Sequence, residues 1–180
     1  RELEMVGFNA KKLGVDFKIV DISAINQLLQ GSALTSNEIA IPEGHYAQES
    51  MKATVVPNRN MIFLSIAAAY AISIGAETIG FAAHAGDHAI YPDCRKEFIN
   101  VAENTINIGN LWNKPIKIYI PYINKSKKDI VKEGLDLGVD YAKTWTCYKG
   151  FEKACGKCGS CTERLEAFKL NNTRDPLQYE

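Results

Sequence analysis

The sequence predicts an α/β domain with a parallel sheet covered by helices on both faces, followed by a C-terminal segment that binds a metal through four cysteines. Two observations predict the sheet and its cover. Helical and strand patterns alternate along the chain, and one long apolar run, Met61–Ile74, is broken only by Ser65 and Ser73. A third predicts the metal: four of the 5 cysteines fall between Cys147 and Cys161.

Glu2–Leu13 has Leu3, Val6, Ala10 and Leu13 at helical spacing, with Gly14 as the stop. Asp16–Asp21, carrying Phe17, Ile19 and Val20, reads as a strand. Ile22–Gln30 reads as a short helix. Gly31–Val56 is polar, with Pro42 and Gly44, and is long for a structureless loop, a pattern common in binding loops and lids. Pro57-Asn58 opens a helix to about Gly75 that is apolar on every side and so is expected to be buried. Thr78–Ala83 reads as a short buried strand, Cys94–Leu111 as a helix with Asp93 as N-cap, and Ile116–Ile120 as a strand stopped by Pro121. Ser126-Lys-Lys-Asp129 resembles a capping box that opens a helix ending at Gly134 or Gly138. Thr162–Leu170 is the final helix. In parallel sheets ligands bind beyond the carboxyl ends of the strands, so the turns after Asp21, Ala83 and Ile120 and the helix start at Asn58 are the places to search.

Lys plus Arg and Asp plus Glu balance at 21 each. No global basic field points to nucleic acid. The apolar run is shorter than the ~20 residues a bilayer-crossing helix needs, and the first residues lack the pattern of a signal peptide. These features read as a cytosolic protein, whose cysteines are reduced thiols rather than a disulfide framework.

The cysteines are spaced Cys147-x7-Cys155-x2-Cys158-x2-Cys161. The short spacings let neighbouring thiolates turn toward one ion, and Gly156 and Gly159 relieve the tight backbone. Four thiolates close a tetrahedral Zn²⁺ site with no open position, so the expected role is structural, with one ion per chain. An iron–sulfur cluster is the rival, since Cys-x2-Cys-x2-Cys also occurs in ferredoxin-type sites. Lys149, Lys153 and Lys157 offset the site's negative charge. Cys94 stands apart and reads as a small buried residue rather than a reactive thiol.

Three segments together resemble a known family: Val56-Pro-Asn-Arg-Asn60, Ala83-His-Ala-Gly-Asp-His-Ala-Ile-Tyr-Pro-Asp-Cys-Arg95, and Thr144-Trp-Thr-Cys-Tyr148 leading into Cys155-Gly-Lys-Cys-Gly-Ser-Cys161. The resemblance is to the 7-cyano-7-deazaguanine synthase (QueC) family and covers most of the chain. It implies a Rossmann-like fold of the adenine nucleotide alpha hydrolase kind, with residues 1–140 as the ATP-pyrophosphatase-like domain and residues 141–180 as a zinc-binding segment packed on it. The Ser-Gly-Gly-x-Asp-Ser phosphate loop of that superfamily is not among these residues. The expectation is that residue 1 falls just after it, within the helix that precedes the third family strand. The implied activity joins 7-carboxy-7-deazaguanine and ammonia to give the nitrile precursor of queuosine and archaeosine. ATP and Mg²⁺ serve as co-substrates, and the enzyme is a homodimer.

Candidate binding residues follow from this frame. Arg59, at the start of the buried helix, reads either as an anion ligand reinforced by the helix N-terminus or as a surface cap. His84, Asp87 and His88 lie at the ligand edge, as a site, as hydrogen-bonded structure, or as a second metal site. The resemblance places Tyr91, Asp93 and Arg95 in the substrate pocket, with the carboxylate suited to the guanine-like ring and Arg95 to the substrate carboxylate. Lys125, at the next ligand-edge turn, is a candidate for phosphate, although Lys127 and Lys128 beside it look like a solvated face. Two other readings remain open: another adenylating tRNA-modification enzyme of the superfamily, and a zinc-bearing nucleic-acid binding module. The balanced charge and the lack of aromatics interleaved with basic residues weigh against the module.

Overall fold

The computed structural model describes residues 1–150 and 152–180. Its regular helices are α1 (Glu2–Leu13), α2 (Arg59–Ser73), α3 (Lys96–Gly109), α4 (Lys127–Asp136) and α5 (Gly159–Leu170), and its strands are β1 (Thr78–Gly80) and β2 (Lys117–Tyr119). The chain divides into two compact units, one of residues 57–126 and the other of residues 1–56 with 127–180.

The 57–126 unit is the α/β part. β1 and β2 pair in parallel, with Ile79 opposite Ile118. Both isoleucines are buried while their strand neighbours are exposed. The connection between parallel strands must cross over, and α3 supplies it. Its inner face buries Ile99, Ala102 and Ile106. Its polar side chains also finish the second strand. Glu103 accepts the Ile118 N–H at 2.6 Å, and Asn107 accepts from Ile116 N–H at 2.8 Å and donates to the Ile116 carbonyl at 2.9 Å. Side chains thus satisfy strand groups that would otherwise lie open at an edge.

Helix α2 forms where the sequence predicts, but only part of it is buried. Asn60, Leu64, Ala68 and Ala71 turn inward, whereas Phe63 and Tyr70 are 48% and 43% exposed. Asp93 does not cap α3, whose N-cap is Arg95. It lies in the short turn Pro92–Cys94 and accepts the Asn60 N–H at 3.2 Å, so it caps α2 from a distant part of the chain.

The other unit is mainly helical. α1 ends as expected, with Gly14 in the left-handed conformation at φ 65°. Asp16–Asp21 is not a strand: its residues have no ladder partner among the described residues, and Phe17 rests instead near Gly7 of α1. Single helical turns occupy Ser23–Leu28 and Glu49–Thr54. α4 and α5 pack through Val131, Ala167 and Phe168, with the Tyr141 ring edge-on to Phe168 at 5.0 Å. α5 begins at Gly159, three residues before the expected Thr162, which places Cys161 inside its first turn.

At the centre of this unit lies a buried ion pair. Arg164 and Asp175 are only 4% and 6% exposed. The guanidinium donates to both carboxylate oxygens, at 2.6 and 2.9 Å, to the Thr144 hydroxyl at 2.7 Å and to the Tyr141 carbonyl at 2.9 Å. Asp175 also accepts from the Tyr179 hydroxyl at 2.6 Å and from the Leu177 N–H at 3.1 Å. Burial pushes the Asp175 carboxyl up, but these donors outweigh it and hold it below its ordinary 3.8.

Removing one member of such a pair leaves an uncompensated buried charge. Asp175→Asn is therefore expected to destabilise the metal-loaded protein by about 3–5 kcal/mol in urea unfolding. The lowered carboxyl contributes its stability above pH ~4 and loses it as pH falls through the folded-state value. The variant should accordingly show a flatter stability profile than the parent in the acid range. A parallel profile would remove Asp175 from the acid response.

Candidate active site and metal centre

The candidate ligand edge of the 57–126 unit is built by the two turns that leave the sheet. They are joined where the Ala85 N–H donates to the Lys125 carbonyl at 3.0 Å. The Lys125 ammonium lies 5.5 Å from the centre of the Tyr122 ring. Across the join, His84 and Asp87 cap one another's turn. His84 Nδ1 accepts from Gly86 N–H at 2.9 Å, Asp87 Oδ2 accepts from His84 N–H at 3.0 Å, and His84 Nε2 lies 3.5 Å from Asp87 Oδ1. With Nδ1 accepting, the ring proton belongs on Nε2, toward the carboxylate. His84 is 4% exposed, and its side chain and backbone close the capping box of this turn.

Tyr91, Asp93 and Arg95 follow on the next turn. Tyr91 is buried at 4% exposure, and its N–H donates to the Asp87 carbonyl at 2.9 Å. Arg95 Nε donates to the His88 carbonyl at 2.9 Å. Asn60 reaches both the Cys94 sulfur at 3.2 Å and the Asp93 carbonyl at 3.4 Å through its side-chain amide. Burial pushes the Cys94 thiol up to about 12, reinforced by the Asp87 and Asp93 charges and opposed by Arg59 and Asn60. The thiol therefore keeps its proton at neutral pH and is no nucleophile.

Two buried nitrogens at this edge, Arg59 Nε and His88 Nε2, have no hydrogen-bond partner among the described residues. Buried polar atoms are nearly always paired, so an orphan calls for an explanation such as a ligand or water. Arg59 meets a condition that sequence reading does not reveal. The first turn of its helix already holds the Asp93 carboxylate, so a second anion there would sit beside a negative charge. Asn60, absent from the sequence candidates, is the residue that fixes Asp93 and Cys94. The Pro-Asn-Arg-Asn segment was the available signal.

The four cysteines converge in the other unit. Cys147, Cys155, Cys158 and Cys161 are all buried, and their sulfurs lie within 4.8 Å of one another. Cys155 and Cys161 are 3.9 Å apart at sulfur. Backbone donors converge on two of the sulfurs: Cys155 N–H on Cys147 at 3.4 Å, and Lys157 and Cys158 N–H on Cys155 at 3.4 and 3.3 Å. At Cys155 burial outweighs the two backbone donors and pushes the thiol up. With protons shared among the sulfurs, the Cys161 S–H lowers Cys158 to about 5 while Cys161 itself is pushed up. Gly156 adopts φ 70° to make the turn between two ligands. This set can hold a metal ion.

The family model described as Queuosine biosynthesis protein QueC matches residues 1–172. The chain is 57% identical over its whole length to 7-cyano-7-deazaguanine synthase 1 of Colwellia psychrerythraea, covering 81% of that protein. It is 54% identical, again over its whole length, to the 7-cyano-7-deazaguanine synthases of Psychromonas ingrahamii and Methanoregula boonei, covering 80% and 82% of them. On these grounds the chain belongs to the QueC family of queuosine biosynthesis proteins.

Proposed function

We propose that this chain is a 7-cyano-7-deazaguanine synthase, an ATP-dependent ligase that converts 7-carboxy-7-deazaguanine and ammonia to the nitrile. The observation that carries this reading is the full-length match, at 57% identity, to a protein of that name. A carboxylate is a poor electrophile with a poor leaving group. Transfer of AMP from ATP to one oxygen remedies both, releasing pyrophosphate. Ammonia then displaces AMP to give the amide. A second adenylation, on the amide oxygen, and loss of AMP give the nitrile. Mg²⁺ accompanies ATP as a co-substrate.

The candidate residues suit these demands. Arg95 spends Nε on the His88 carbonyl, which leaves its two terminal nitrogens for a substrate carboxylate. Asp93 accepts the Asn60 N–H on Oδ2, which leaves Oδ1 for a ring N–H of the deazaguanine. Arg59 and Lys125 supply cations near the same edge, for phosphate or for the adenylate. His84 and Asp87 shape the turn that carries Tyr91 and Arg95 rather than performing the chemistry. The protein acts in the cytosol as a homodimer.

The metal is zinc, held by Cys147, Cys155, Cys158 and Cys161. Tetrahedral thiolates at ~2.3 Å from one ion lie ~3.8 Å apart, and the Cys155–Cys161 separation is 3.9 Å. A cluster, in which each iron takes its own thiolate, needs its cysteines spread more widely. Four ligands leave no open position, so the ion supports the fold and takes no part in the reaction. Elemental analysis of purified protein should find about one zinc per chain. A brown protein absorbing near ~400 nm would instead establish iron–sulfur.

The reaction is checked by incubating the full-length, zinc-loaded protein with ATP, Mg²⁺, ammonia and 7-carboxy-7-deazaguanine and following AMP and nitrile by mass spectrometry. Substrate-dependent AMP with nitrile product is expected. AMP formation that ignores the substrate would sink the assignment. Arg95→Ala should lower kcat/KM by roughly a hundredfold or more, the cost of losing a charged bidentate contact. Its zinc content and unfolding midpoint should stay at the parent values. A variant with normal turnover would remove Arg95 from the site.

A further inference from the structure

Residues 33–53 leave the body of their unit and return to it. The Ala33 N–H donates to the Ala53 carbonyl at 2.7 Å, which closes the excursion at its base between the fully buried Ser32 and Thr54. Compact loops with joined ends of this kind are frequently functional. Its regular structure is the helical turn Glu49–Thr54, and several of its contacts with the rest of the unit lie around the cysteine centre.

Those contacts fall on both halves of the centre. On the side of Cys155 and Cys158, Glu43 forms an isolated antiparallel bridge with Cys158, and the Gly44 N–H donates to the Lys157 carbonyl at 3.0 Å. Beside them the Glu43 carboxylate pairs with the Lys149 ammonium at 2.9 Å, and Ile41 packs against the cysteine cluster. On the side of α5, His45 Nε2 lies 3.3 Å from the Glu166 carboxylate. The fully buried Met51 sits so close to Gly159 that a Cβ there would meet its sulfur at 2.7 Å, with Tyr46 at 3.3 Å. Each polar contact is weak alone, since the ion pairs are partly exposed. Their joint effect depends on the two halves keeping one fixed spacing. Cys161 belongs to α5 and the other three ligands to the preceding turns, so an ion bound by all four ties the halves together.

We propose that the metal centre is the anchor of the 33–53 loop, so that loss of the ion frees this loop while the helices on either side stay formed. The inference rests on the four cysteines binding a metal, and it adds that the ion's effect reaches a segment that supplies no ligand. Glu43 and Lys149 act as positioning residues in this arrangement. They hold the loop to the ligand-bearing turns and touch neither the ion nor a substrate.

Hydrogen exchange read by mass spectrometry tests this. Metal content is measured first by elemental analysis, and a chain that binds no metal would fail the zinc assignment, a result distinct from failure of the coupling. With metal confirmed, the protein is compared before and after stripping by a chelator. Peptides covering 41–53 should exchange about tenfold faster or more without metal, while peptides from α2, α3 and α4 keep their rates. Glu43→Gln in the metal-loaded protein should raise exchange in the same peptides without lowering the metal content. Unchanged protection of 41–53 on stripping overturns the proposal. So does an equal rise across all peptides, which would mean global unfolding rather than release of one loop. A Glu43→Gln variant that exchanges like the parent removes the Glu43–Lys149 pair from the anchor.

Discussion

The 1–56 and 127–180 unit depends on one buried ion pair, Arg164 with Asp175. An unpaired guanidinium so far from water would be costly, and here every available donor direction except one meets an acceptor of known identity. Because its partners come from three places in the sequence, the pair fixes three segments at once. The Tyr141 carbonyl and Thr144 hydroxyl hold the chain that leads to Cys147. Arg164 itself sets the register of α5, and with it Cys161. Asp175 draws in the tail, whose Tyr179 bridges to Ala154 beside Cys155. The cysteines need thiolates at matched distances, and the ion pair links the three segments next to which Cys147, Cys155 and Cys161 lie. The cost of desolvating both charges is offset by the saturation of their hydrogen bonds, which also gives this part of the core a single arrangement.

The 57–126 unit is organised on a different principle, in which polar side chains complete backbone that regular structure leaves open. Glu103 and Asn107 finish β2, Asp93 caps α2, and His84 with Asp87 caps the turn after β1. Of these, Asp93, His84 and Asp87 are spent on structure at the candidate ligand edge, beyond the carboxyl ends of the strands. This has a consequence for chemistry. A side chain already fixed by a backbone contact presents its remaining atoms in a defined direction, and orientation is a large part of what a site for adenylation must supply. Asp93 and Arg95 each have one atom committed in this way. Cys94 between them stays protonated, so the stretch carries a carboxylate and a guanidinium without a competing nucleophile.

Much of this was readable in the sequence wherever local chemistry decides. The helical spacing of Leu3, Val6, Ala10 and Leu13 with Gly14 gives α1 to the residue, and the cysteine spacing gives the metal set. The spacing cannot give the Arg164–Asp175 pair, because an arginine on a helix and an aspartate eleven residues later look like two solvated charges until the tail folds back. Asp93 misled for a similar reason. Its position before Cys94 fits an N-cap of the next helix, yet the turn at Pro92 carries it to the start of α2. Asp16–Asp21 has the composition of a strand, but a strand exists only with a ladder partner, and propensity does not provide one. The all-round apolar character of α2 overstated its burial, since a helix that buries Leu64, Ala68 and Ala71 leaves Phe63 and Tyr70 on the far side.

The entry to α2 shows how closely these levels are joined. Asn58 is its N-cap and stands at φ 55°, in the left-handed region that most side chains avoid and asparagine tolerates best after glycine. Its own side chain makes no capping bond. The capping acceptor comes instead from Asp93, 33 positions beyond the Asn60 whose N–H it accepts. The backbone bond from Asn60 is one of three that tie the turn Pro92–Cys94 to α2, the other two coming from the Asn60 side-chain amide. The left-handed turn at Asn58 brings Asn60 N–H and its side-chain amide to Asp93 and Cys94 together. These bonds, all made by one residue, join the Pro-Asn-Arg-Asn segment to the Tyr-Pro-Asp-Cys-Arg segment.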